Sequence, residues 1–422
     1  MLVLAMAGPA SHSATPTVGT LTPTATLVTW TGSFAANQPI LPAPKIVCVV
    51  RHCDTFTVTV ALGAGYWASP GGGVEFAIRW AYDGVVDLDL LVFDAAGKVV
   101  GRSVGLDSNA ESVVLRHLKD GVYRVSVVPT NTLSPGATAK TIPYEGLAQV
   151  EPPPAGGPVH DLLPNLQVFP PDGFHIASAL NLIPFPENPV LPCYPEETIQ
   201  NKAHPTRCLR FNQTIANTGE GRLELRFDMR GIPTPTKADD LMIQRVYRSD
   251  GTYYERFADR YKFHAVHAHI HYQNFGQSLL YNYVWGTGRV GAAIREGNKV
   301  GFCVTDVRLL DSYWGATGNG ARLSQTFPGC NIPKEFGPDG AIWMVQGIDV
   351  GWADVYGWNL ADQYINITGI PDGLYELEQL ANPTHSVVEQ DYTDDSASTV
   401  ICLKGNGVTA VSTAAQAAAC HA

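Results

Sequence analysis

Residues 264–271 read HAVHAHIH and hold four of the chain's twelve histidines. On a helix, His264, His267 and His271 would share one face. On a strand, His267, His269 and His271 would. The neighbours Tyr261, Phe263, Val266, Ile270 and Tyr272 are strand formers, so the spacing predicts a strand with three imidazoles on one side. Such a row is a metal site in outline. On a flat strand the outer two Cα atoms stand about 13 Å apart, and a metal must lie ~2 Å from each nitrogen. The strand must therefore bend or bulge to close the site. Imidazole donors suit copper, zinc, iron or nickel. His264, of opposite parity, either orients a ligand or stands by. The plain alternative is a row of exposed histidines that binds nothing.

The elements that must carry this stretch are strands. The chain has 422 residues, 45% apolar and 16% charged, with 41 glycines and 30 prolines. That length predicts two domains, and that composition favours strands and turns. Residues 1–44, rich in Thr, Ala and Pro, are expected to be a signal remnant and a disordered leader. Over 45–150 short runs such as FTVTVAL, VEFAIRWAY and GVYRVSVV are cut by Gly and Asp turns, as in an antiparallel sandwich. The phrases VDLDLLVFDAAGKVV and LKDGVYRVSVV resemble the small jelly-roll, pre-peptidase-like modules appended to secreted bacterial enzymes. Asp87 and Asp89 share one side of their strand, either as a solvated face or as Ca²⁺ ligands. Residues 151–159, with EPPPAGGP, read as a linker. A second strand-rich domain then runs over 160–422 and ends in an Ala-rich tail.

The histidine run resembles the copper-binding segment of the lysyl oxidase family, a His-x-x-His-x-His-x-His string. The resemblance makes His267, His269 and His271 the copper ligands. Two further segments match in order. REGNKVGFCVTD at 295–306 resembles the family's Gly-x-Lys-x-x-Phe-Cys-x-x-Asp segment and sets Lys299 on its functional lysine. QGIDVGWADVYGWNLADQYINITGIPDGLY at 346–375 sets Tyr356 on its functional tyrosine. ANPTHSVVEQDYTDD echoes the family's ending, and LLPNLQV and RCLRFNQTIANTG its opening strands, so the resemblance spans about 160–405. Together with the sandwich read over 45–150, it implies a fold that is mainly β: an N-terminal β-sandwich module, then a β-rich lysyl-oxidase-like catalytic domain with long loops. It also implies Cu(II) and a lysine tyrosylquinone made from Lys299 and Tyr356. The activity implied is oxidative deamination of primary amines, peptidyl lysine or related amines, by O₂ to aldehydes, H₂O₂ and ammonia.

That chemistry needs a redox metal beside a phenol, and a neutral amine to add to the oxidised ring. Joining residues 299 and 356 would close a loop of 57 steps. By analogy with a disulfide this stabilises by roughly 4 kcal/mol. A base must also take the proton from the carbon bearing nitrogen. Asp354, of Tyr356's parity, and Asp306, after the lysine motif, are the candidates; His264 is a weaker one. Departures from the family are specific. A cysteine pair flanking the tyrosine in animal members is Trp352 and Asp362 here, and a histidine beyond the copper string is Gln277, which cannot act as a base. Quinones made from a lone tyrosine use Asn-Tyr-Asp or Asn-Tyr-Glu, and Asn282-Tyr283-Val284 lacks the acid.

Eight cysteines suit an oxidising compartment, and proximity suggests Cys48–Cys53, Cys193–Cys208, Cys303–Cys330 and Cys402–Cys420. With the apolar, small-residue start, this points to a secreted protein. No segment approaches the ~20 apolar residues of a membrane span. The net charge of −11 disfavours nucleic acid and anionic lipid; it either favours cationic amines or serves solubility alone. The rival reading is a secreted, non-catalytic metal-binding or adhesion protein with a three-histidine site. A zinc hydrolase is a third, but no HExxH motif stands behind it.

Overall fold

The computed structural model describes residues 14–34, 53–151, 157–178, 183–184, 189–190, 207–228 and 241–421, apart from 68–71, 82–86, 105–108, 117, 131–141, 265–268, 298, 300, 316–322, 324, 330–332, 337–341 and 361–362. The protein is mainly β. Among the described residues the α-helices are Ala64–Trp67 and Ala414–His421. None is long and apolar enough to cross a membrane.

The chain divides into two units. The first comprises Met1–Gly157 and Val307–Pro328; the second comprises Pro158–Asp306 and Gly329–Ala422. The first unit has a five-stranded sheet ordered Val18–Leu21, Asp54–Val60, Gly121–Thr130, Asp87–Phe93, Val99–Ser103. Its second sheet is ordered Leu27–Phe34, Ile142–Glu151, Gly73–Trp80, Ala110–Leu115. Alternate residues of both sheets meet in one core, where Trp30 stacks on Phe56 at 4.2 Å.

Three expectations are corrected here. Residues 14–34 are not leader: Val18–Leu21 and Leu27–Phe34 are strands of the sandwich, with Trp30 and Phe34 buried. Their Thr-rich composition hid an alternation in which threonine, a β-branched residue, occupies the outer positions. The second domain is also not continuous from 160 to 422, because Val307–Pro328 belongs to the first unit. There the Leu309 N–H donates to Asn109 Oδ1, the Leu323 N–H donates to Glu75, and Arg79 pairs with Asp311. Asp87 and Asp89 form no solvated face; both are buried on a strand paired along both edges.

In the second unit one sheet runs Gly301–Phe302, His269–Gln273, Tyr253–His264, Leu241–Arg248, Leu223–Asp228, Ile342–Ile348, Pro333–Phe336. A second is built on the long strand Arg207–Asn217, which pairs with Leu166–Val168 and Trp352–Tyr356. A third runs Gly288–Glu296, Gly276–Val284, Gly373–Ala381, Ser396–Lys404, Gly407–Ala410. The Ala-rich tail is the helix Ala414–His421, pinned by a Cys402–Cys420 disulfide. It opens on a capping box: Thr413 Oγ1 accepts from the Gln416 N–H and Gln416 Oε1 accepts from the Thr413 N–H.

Candidate active site

The histidine stretch straddles a hairpin. The strand Tyr253–His264 ends at His264, and its antiparallel partner starts at His269. The register sets His264 opposite His269 and Lys262 opposite His271. His264 is thus the cross-strand neighbour of His269, a relation that parity along a single strand missed. His267 lies outside the described residues, as do the side chains of His264 and His269. Among the described residues no three His, Cys, Asp or Glu side chains converge as a metal site.

His271 is described in full and is buried. It faces Gly301, where an added Cβ would stand 3.0 Å from His271 Cβ and 3.3 Å from Nδ1. The glycine therefore makes room for the imidazole. The same strand pairs Tyr272 with Phe302 and Gln273 with Gly301. Buried imidazole fits copper, so His271 is a residue that could hold it.

Lys299 precedes Gly301 by two residues and is buried. Its Nζ lies 4.5 Å from the centre of the Tyr356 ring and 5.3 Å from that of Phe302. Phe302 meets Tyr356 edge-on at 4.8 Å. The tyrosine arrives by a tight turn after Ile342–Ile348, in which the Trp352 N–H donates to Asp349 O. Gly351 takes φ +87°, the left-handed conformation a type II turn requires at that point. The strand Trp352–Tyr356 then pairs with Arg207–Asn217, setting Tyr356 opposite Gln213 and Asp354 opposite Ile215.

The Tyr356 hydroxyl is clasped by one residue. It accepts from the Cys303 N–H at 2.7 Å and donates to Cys303 O at 2.8 Å. Burial and then the Asp354 charge push its pKa well above the ordinary phenol value, against the Cys303 bond, so the ring is a neutral phenol. Part of its surface stays open. Asp354 is buried, and burial pushes its carboxyl well above the usual range. The Lys299 charge and the N–H groups of Thr305 and Val355 act in the opposite direction. Its Oδ2 has no hydrogen-bond partner among the described residues. Asp306 is also buried, and its Oδ1 accepts from the Asp349 N–H, which anchors the turn leading to Tyr356.

Two glutamines matter here that residue type does not mark, although both lie in segments that resemble the family. Gln346 Nε2 donates to Ile270 O on the histidine strand, and its Oε1 accepts from the Val304 N–H beyond the lysine. A lone amide in the apolar run IWMVQGI was the available signal. Gln213 is the cross-strand partner of Tyr356. Cys53, Cys208 and Cys303 are disulfide-bonded; their expected partners Cys48, Cys193 and Cys330 lie outside the described residues.

The family model described as Lysyl oxidase matches residues 334–413, a stretch that includes Tyr356. Lysyl oxidase homolog 2 of Gallus gallus is 29% identical over 105 residues, 25% of this chain and 11% of that protein. Lysyl oxidase homolog 3 of Homo sapiens is 28% identical over 133 residues, 32% of this chain and 14% of that protein. The matched stretches thus span only 11–14% of these relatives' length. The resemblance to the lysyl oxidase family is borne out by these matches. Among solved structures, the pre-peptidase C-terminal domain of a collagenase from Bacillus anthracis aligns with a TM-score of 0.20 and 12% identity, over 31% of this chain and 94% of that one.

Proposed function

We propose that the chain is a secreted, copper-dependent amine oxidase that turns primary amines, peptidyl lysine among them, into aldehydes. Lys299 and Tyr356 supply its quinone, and His267, His269 and His271 its copper ligands. The observation that carries this reading is the 4.5 Å between Lys299 Nζ and the Tyr356 ring, two side chains 57 positions apart in the sequence. The lysine has only to swing a few ångströms on a flexible stem to reach a ring carbon.

When in place, the copper and the quinone supply the electron sink and the route to O₂; one amine, one O₂ and one water give aldehyde, ammonia and H₂O₂. The remaining work belongs to side chains. Asp354, buried beside Lys299, is the base that takes the proton from the carbon bearing nitrogen. Asp306 holds the turn through Asp349, a role that leaves Asp354 the better base. Cys303 fixes the ring by its oxygen. The net charge of −11 favours cationic amines. Export is supported by the Cys402–Cys420 bond and by the absence of free cysteines among the described residues.

The test is peptide mapping of reduced protein produced with copper and air. A branched peptide joining the segments around Lys299 and Tyr356 is expected. Linear peptides from both, in protein that still binds copper, would leave a metal-binding protein without turnover.

A further inference from the structure

One polar atom of Gln213 lacks, among the described residues, a partner that would offset its burial. The residue is 2% exposed, yet its Nε2 has no hydrogen-bond partner among the described residues. A buried donor left in this way destabilises the state that contains it. Orphaned groups of this kind call for a cause, and one cause is a partner that arrives later.

Its location indicates which partner. Gln213 lies directly across the antiparallel pair from Tyr356, and directly opposed residues project to the same side of a sheet. Asp354, two residues before Tyr356, shares that side, so the phenol, the acid and the amide form one group. The amide nitrogen is set against Gly276 and Phe302: a Cβ added at Gly276 would stand 2.7 Å from Gln213 Nε2 and 3.0 Å from Phe302 Cζ. Phe302 in turn packs edge-on against Tyr356. Gly276 thereby leaves the amide its space beside the ring.

The tyrosine as synthesised has no use for this donor. Its one oxygen already donates to and accepts from Cys303. Oxidation changes the count. Conversion of the phenol to an ortho-quinone consumes one ring C–H, the phenol O–H and one O₂, and yields a second ring oxygen and one water. That second oxygen is a new acceptor, and Cys303 does not serve it.

We propose that Gln213 is the hydrogen-bond donor held in readiness for the oxygen that the Tyr356 ring gains on oxidation. The amide then orients the oxidised ring and stabilises the charge that gathers on that oxygen when substrate electrons enter. This rests on the Lys299–Tyr356 quinone reading and assigns a residue to it.

The experiment uses the full chain with Gln213→Met, which keeps length without a donor, and Gln213→Leu as a second variant. Copper-free protein is melted first; copper and air are then added, and the visible quinone band is followed. The copper-free variants should melt at or above the parent's temperature, because an unsatisfied donor has been removed. Their quinone should form at least tenfold more slowly, with a displaced absorption maximum. A lowered melting temperature with an unshifted band formed at the parent's rate would make Gln213 a packing residue and overturn the proposal. A parent that never develops a band would remove the quinone reading itself, a result distinct from a parent that matures and variants that match it.

Discussion

Replacing Tyr356 with phenylalanine removes one oxygen and should loosen a segment 53 positions away, independently of any catalysis. The hydroxyl serves both the N–H and the C=O of Cys303, at 2.7 and 2.8 Å, and Cys303 is buried. A buried group deprived of its partner costs about 1–3 kcal/mol, so the two losses amount to roughly 2–6 kcal/mol of local stability. About 2 kcal/mol on the amide side corresponds to about 30-fold faster opening of that N–H. A global unfolding transition does not isolate this segment from the rest of the chain, so a local observable is needed. Hydrogen exchange read by mass spectrometry on copper-free protein supplies it, over the peptide spanning 301–306. Tyr356→Phe should accelerate exchange there by one to two orders of magnitude. Lys299→Met, which leaves the clasp untouched, should not. Less than a threefold change in Tyr356→Phe would mean that the hydroxyl does not hold Cys303, and the account of how the ring is fixed would fail.

Asp354→Asn should lower kcat/KM at least a hundredfold, the usual weight of a positioned base. In the parent, activity should fall as pH drops through a value well above the ordinary carboxylate range, because burial raises the acid and the opposing Lys299 charge is lost when the amine joins the ring. An acid limb near pH 4 would contradict the assignment. Gln346→Leu cuts both the Ile270 and the Val304 bonds. It should slow quinone formation at saturating copper by tenfold or more, and formation at the parent rate would show that the brace is not needed. In the first unit, Glu75 is pushed up to about 7, first by burial and then by the Glu151 charge, against bonds from Gln149, Ser112 and Leu323. Its folded value lies above its unfolded one, so stability is fully present below about pH 4.5 and is lost as pH rises towards 7, by roughly 3 kcal/mol. Glu75→Gln should flatten that dependence in chemical unfolding followed between pH 5 and 7, and an unchanged slope would locate it elsewhere.

Sequence alone determined what is carried by residue type and short spacing. The alternation of FTVTVAL and its neighbours marked strands, since the side chains of a pleated chain alternate and burial selects one face. Cys402 and Cys420 were paired by nearness, because a short loop between them leaves little freedom. The histidines stood out by residue type and spacing, while Lys299 and Tyr356 were marked by the resemblance of their segments to the lysyl oxidase family. What sequence did not carry was register. Only tertiary pairing set His264 opposite His269 and Gln213 opposite Tyr356, and only packing gave residues 14–34 and 307–328 to the first unit. A glutamine has no chemistry that marks it in a string of letters; Gln213 and Gln346 acquire meaning from groups far along the chain. Hydrogen bonds form between atoms about 3 Å apart in space, and the separation of residues along the chain does not encode that distance.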